Sequence, residues 1–278
     1  MPNKSLSIAL LCLCFTGCAT TTAPQPKPEA AIAPISQPEE AAAPETVTPP
    51  PVPEPEITPE LKALRNSIQA GNASEIRSAA LEIISKDTTS KDSAEAHRAL
   101  ANVAMNAQNY DEARLYADAA SAIDAKDMDT MLIKARIAMH QDKYDEANRQ
   151  LKAAIETDPN AVEPHILKAA IALKFLDSER ALEAATTANS LAPSNCDAVI
   201  LYGDALYQNL KYDQAIAAYE KADAAQCQMT EAAILNMAKL YEVQLQAPAK
   251  ACKAYGRLTT IAPDNAYYKA SRDYQCSL

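Results

Sequence analysis

The chain of 278 residues contains no tryptophan, two phenylalanines, four glycines and three histidines. With glycine confined to positions 17, 71, 203 and 256, neither a phosphate-cradling loop nor a dinucleotide fingerprint can be written, because both need closely spaced glycines to bring backbone amides onto phosphate. His97, His140 and His165 lie more than a helical turn from one another and from any cysteine at metal-ligand spacing, so no metal set and no catalytic constellation emerges. The chain therefore reads as a non-enzyme without a cofactor. Positive charge is also scarce: 26 basic residues face 36 acidic ones, for a net charge of −10, or −11 if Lys4 is removed with a leader. With no basic cluster, nucleic acid and anionic lipid surfaces are poor partners.

Proline is plentiful but concentrated, with twelve of the 18 falling between Pro24 and Pro59, interleaved with alanine and glutamate. Such a stretch has too little apolar surface to offset chain entropy and is expected to be an extended linker. At about 3.1 Å per residue, positions 19–59 could span on the order of 125 Å. Before the linker come Lys4, an apolar stretch from Leu6 to Phe15 and then Thr16-Gly17-Cys18. A positive start, roughly ten apolar residues and a small-residue cleavage site describe a secretory signal too short to span a bilayer. Cysteine directly after Gly17 resembles the lipobox of bacterial lipoproteins, with Phe15 where that family usually has leucine. The resemblance implies cleavage after residue 17 and acylation of Cys18; Ala19, in place of aspartate, implies an outer-membrane address facing the periplasm. Several acyl chains, at about 0.8 kcal/mol per buried methylene, anchor stably where one does not.

Alanine sets a period. Ala113, Ala147, Ala181 and Ala215 are 34 residues apart, and Ala251 follows after 36. Tyr110-Asp111-Glu112-Ala113, Tyr144-Asp145-Glu146-Ala147 and Tyr212-Asp213-Gln214-Ala215 repeat one phrase, Ala101, Ala135 and Ala169 lie twelve residues before the first three, and Pro159, Pro193 and Pro263 lie twelve after Ala147, Ala181 and Ala251. This pattern resembles the tetratricopeptide repeat, a two-helix unit of 34 residues. The resemblance implies an all-α, right-handed solenoid of about thirteen helices over residues 60–278: an irregular pair at 60–92, repeats at 94–127, 128–161, 162–195, 196–229 and 231–264, and a capping helix at 265–276. Small residues let paired helices approach closely, and Asp111, Asp145 and Asp213 are expected to cap second helices.

The register also sorts the four cysteines left in a mature, periplasmic chain. Cys196 opens a first helix and Cys227 follows the second helix of the same unit, while Cys252 begins a second helix and Cys276 ends the capping helix. Antiparallel packing then favours bridges 196–227 and 252–276 among the three possible pairings. In the resembled family the first helices line a groove. Carried onto this register, the groove positions are Arg98, Asn102, Met105, Leu132, Arg136, Met139, Ile166, Leu173, Ile200, Asp204 and Tyr207. Leu132, Met139, Ile166, Leu173, Ile200 and Tyr207 would form an apolar stripe suited to a helix or extended peptide. Arg98 and Asn102 match part of a carboxylate clamp, but Ile133 stands where that clamp needs asparagine. The layout is similar to tetratricopeptide lipoproteins that act as pilotins or pilus-assembly factors, which implies an envelope partner such as a secretin or pilus component. An adaptor for peptidoglycan synthases or hydrolases is the alternative, and a second copy of the chain could also occupy the groove.

Overall fold

The computed structural model describes residues 57–278. The leader, Cys18 and nearly all of the proline-rich linker lie outside the described residues. Among the described residues there are thirteen α-helices and no strand. A leading pair, α1 (Pro59–Ala70) and α2 (Ala73–Lys86), precedes five repeats. These are α3 (Lys91–Asn106) with α4 (Tyr110–Ile123), α5 (Met128–His140) with α6 (Tyr144–Thr157), and α7 (Val162–Lys174) with α8 (Ser178–Leu191). Then come α9 (Cys196–Gln208) with α10 (Tyr212–Ala224), α11 (Glu231–Lys239) with α12 (Pro248–Ile261), and the closing helix α13 (Ala266–Ser277). The first repeat begins three residues earlier than expected, because the Ser90 hydroxyl accepts the Ser93 N–H at 3.2 Å and starts α3 at Lys91. The leading pair accordingly ends at Lys86 rather than at 92.

The periodic alanines sit where the helices of a pair touch. Ala101, Ala135 and Ala169 on first helices and Ala113, Ala147, Ala181, Ala215 and Ala251 on second helices are all 0 % exposed. In repeat four the first-helix position is Gly203, where an added Cβ would fall 2.8 Å from Cε1 of Tyr219. Loss of one methyl there accommodates a ring on the facing helix, so the pair keeps its volume while changing residue type.

The helix ends correct one expectation. Asp111, Asp145 and Asp213 make no capping bond; each is the second residue of its helix, where it contributes charge to the positive end of the dipole. The cap of α4 is Asn109, whose side chain accepts the Glu112 N–H at 3.4 Å, and that of α8 is Asp177, which accepts the Arg180 N–H at 3.2 Å. At the other end, the first helices of repeats one to four each stop on a left-handed residue that is not glycine: Gln108, Asp142, Leu176 and Leu210, with φ of 60°, 57°, 57° and 59°. Each lets the next N–H reach back to a carbonyl five residues earlier, as in Lys211 N to Leu206 O at 2.9 Å. Side chains in this region cost about 1 kcal/mol relative to glycine.

The irregular 36-residue step between Ala215 and Ala251 resolves into two single insertions. One lengthens the turn between α10 and α11, and the other is wound into a π-helical segment, Leu240–Gln244, that continues α11. There Leu245 N bonds to Leu240 O at 3.1 Å and Ala247 N to Tyr241 O at 2.8 Å, so the extra residue is absorbed without breaking the repeat.

Candidate interaction groove

The first helices of successive repeats place some of the expected groove residues on shared surfaces. Arg98, Asn102, Leu132 and Arg136 line one cavity of about 250 Å³ together with Ile68 of α1. Arg136, Met139 and Ala170 line a second, of about 350 Å³, with His140, Tyr144 and Lys174. Met105, Ile166, Leu173, Ile200, Asp204 and Tyr207 line neither. The continuous apolar stripe is not formed. Leu132, Ile166 and Ile200 are only 6 %, 8 % and 4 % exposed. Each is taken into a core: Leu132 packs with Ala135 and Ile171, Ile166 with Ala188 and Ala198, and Ile200 with the large C-terminal cluster. Met105, Met139, Leu173 and Tyr207 remain partly exposed.

The charges of the groove are already engaged. Arg98 donates to Asp127 at 2.6 Å and to Asp129 at 3.2 Å, and Arg136 donates to Glu163 at 2.8 Å. Arg65 makes a two-pronged contact to Glu95, at 2.8 Å on each oxygen. That contact holds the Glu95 carboxyl below its ordinary range, chiefly through the hydrogen bond. A carboxylate ligand would have to displace these partners, which is a physical reason, beyond Ile133, why this end is a poor carboxylate clamp. In repeat four, Asp204 accepts from the Tyr219 hydroxyl at 2.6 Å and from Asn236 at 3.2 Å. Burial pushes its carboxyl up and outweighs those two bonds. Asp204 therefore cross-links α9, α10 and α11 more than it faces a ligand.

Two exposed residues outside the expected set stand at positions equivalent to those of the earlier first helices. Tyr267 and Tyr274 occupy in α13 the second and ninth positions, equivalent to Asp129 and Arg136 of α5, and are 51 % and 61 % exposed. Counting α13 as a sixth first helix rather than as a cap would have found them. The structure also joins Cys196 to Cys227, with Cα atoms 5.4 Å apart, and Cys252 to Cys276, at 5.0 Å. Among the described residues no cluster of histidine, cysteine and carboxylate side chains could hold a metal, and no helix is long and apolar enough to cross a membrane.

The tetratricopeptide-repeat family model matches residues 69–127 and 172–226. Those residues are tetratricopeptide repeats. Among solved structures it is similar to pilF of Pseudomonas aeruginosa, with 18 % identity and a TM-score of 0.67 over 79 % of this chain and 96 % of that one. It is also similar to YrrB, described as a repeat protein with an unusual peptide-binding site, with 16 % identity and a TM-score of 0.53 over 70 % and 98 % of the two chains. At these identities the likeness speaks for the fold. No curated protein matches the chain in sequence. As a tetratricopeptide solenoid, the protein is a scaffold for protein–protein interaction.

Proposed function

We propose that this repeat protein is an outer-membrane lipoprotein, anchored through Cys18 and facing the periplasm, whose groove holds an envelope protein during assembly of a pilus, secretin or related secretion complex. The observation that carries the address is Cys18 directly after Gly17 at the end of a short apolar leader. Two disulfides in the solenoid accord with an oxidising compartment, and the similarity to pilF over nearly all of that chain favours a pilus-related role among the many uses of this fold. Acylation would place the solenoid within a tether's length of the membrane, and the groove would supply the contact. The test is a Cys18→Ser chain in the native host. It should fail to take up labelled palmitate, leave the outer-membrane fraction and reduce assembly of the envelope complex. A wild-type chain found unlabelled in the cytoplasm would end the proposal.

A further inference from the structure

The face built by the second helices carries a further feature, which meets the second groove cavity at Tyr144 and Ile171. Counting from the start of each second helix, the seventh residue is Tyr116 in α4, Gln150 in α6, and then alanine three times, at Ala184, Ala218 and Ala254. Tyr116 packs against the cluster of Ile76, Ala80 and Ile83 and so fills the space between α2 and α4. The Arg114–Glu146 ion pair at 3.7 Å links α4 to α6, and Lys134 of α5 reaches Asp118 of α4 at 2.8 Å. Where alanine stands, the space stays open. Clefts of about 640, 290 and 240 Å³ lie between α6 and α8, α8 and α10, and α10 and α12, lined by Ala184, Ala218 and Ala254 respectively.

The clefts are chemically graded. Tyr144 and Phe175, edge to face at 4.8 Å, wall the first, and Phe175 is 57 % exposed. Its Asp145 and Glu183 have no ion-pair partner among the described residues, whereas Arg180 is held by Asp177 at 3.3 Å. The middle cleft contains Lys221, and the last Lys253, again without an acidic partner among the described residues; the other cations of the last cleft, Lys250 and Arg257, are paired with Glu220 and Asp223. The floor becomes apolar along the row, from Lys168 to Tyr202 to Met237. Asn189, which lines the middle cleft, has a buried Oδ1 that accepts no hydrogen bond among the described residues.

We propose that this second-helix face of repeats three to five binds an extended partner segment presenting a large apolar side chain at every third residue, with a basic residue over the first cleft and acidic residues over the other two. Successive clefts are one repeat apart, about one helix diameter or ~10 Å, which one turn of a polyproline II segment, three residues at ~3.1 Å each, also spans while returning every third side chain to the same face. Charge fixes the direction of the segment and apolar filling fixes its register.

The probe is a fluorescein-labelled synthetic nonapeptide with phenylalanine at positions 1, 4 and 7, lysine at 2, glutamate at 5 and 8, and serine elsewhere. Titrated into the full chain and followed by anisotropy, it should saturate. Lys221→Glu with Lys253→Glu, two exposed changes, should weaken it about tenfold and should bind more tightly than wild type a peptide whose glutamates are replaced by lysine. Ala217→Tyr with Ala224→Tyr, two exposed alanines lining the middle and last clefts, should abolish binding without lowering Tm. Absence of saturable binding, equal affinity for a peptide with phenylalanine at 1, 3 and 5, or indifference to the lysine reversals with no rescue by the exchanged peptide would overturn the proposal.

Discussion

Repeats one and two and repeats four and five are built from the same helix pair, but different side chains hold them. In the N-terminal repeats the apolar clusters are small, and ion pairs such as Arg77–Glu112 at 2.9 Å and Arg98–Asp127 at 2.6 Å bridge one unit to the next. In the C-terminal repeats a single cluster runs from Val199 to Tyr268, two tyrosines, Tyr219 and Tyr255, are fully buried, and both disulfides lie there. Surface ion pairs contribute at most about 1 kcal/mol each, whereas burial of a large side chain is worth roughly 1.5–3 kcal/mol. The alanine period thus specifies how helices are spaced, while the residues beside it decide how firmly they are held and which surfaces stay open. The region with both insertions is also the region with the covalent staples.

Reducing both disulfides should have the largest effect. Loop entropy assigns each about 3 to 4 kcal/mol, so hydrogen exchange with a reductant present should deprotect α9 to α13 while α3 to α6 stay unchanged. Equal loss along the whole solenoid would erase the contrast. Next, Tyr219→Ala should cost about 3 to 5 kcal/mol and leave Asp204 with one fewer donor, measurable by chemical denaturation. The Arg77→Ala change should cost under about 1 kcal/mol and lose its effect in high salt.

The left-handed turn residues offer a gain of about 1 kcal/mol each. Leu176→Gly and Leu210→Gly should raise the denaturation midpoint, since both leucines are exposed, at 77 % and 70 %, and recover little by packing. The smallest expected effect is on pH. Glu95 has its folded pKa lowered by Arg65, so its contribution is present above the unfolded value and is lost as pH falls through the folded one. Asp204 has its folded pKa raised by burial, so the folded state holds that proton to higher pH and stability falls as pH rises through the window between the unfolded and folded values. Acidification should therefore loosen the N-terminal contact and tighten the Asp204 site; hydrogen exchange at two pH values, read separately over α3 and α9, checks the opposite signs.

The helix pairs are legible in the sequence because alanine spacing is a direct consequence of close helix approach, and the same register separates the cysteine pairs seen in the structure. Other features depend on neighbours that a single repeat does not show. Leu132, Ile166 and Ile200 occupy groove positions, yet the adjacent unit buries them. The repeated Tyr-Asp-Glu-Ala phrase points to a helix start but not to its cap, because tyrosine is already helical and aspartate follows it. The clefts between second helices are made by side chains that are missing, and an alanine in a chain rich in alanine gives no signal until its counterpart Tyr116 is placed beside it. The insertion is visible as a count, whereas its division between a longer turn and a π-helical segment follows from which carbonyls can be satisfied.

Whether the first-helix groove is where an envelope partner is held can be read by photocrosslinking in living cells from Met139 and Tyr207, which are partly exposed, in place of the buried Leu132 and Ile166. Groove binding requires a discrete adduct with a secretin or pilus component from these two positions and none from the exposed Leu115 on α4. Adducts between two copies of the chain alone, or the same adduct from Leu115, would refute it.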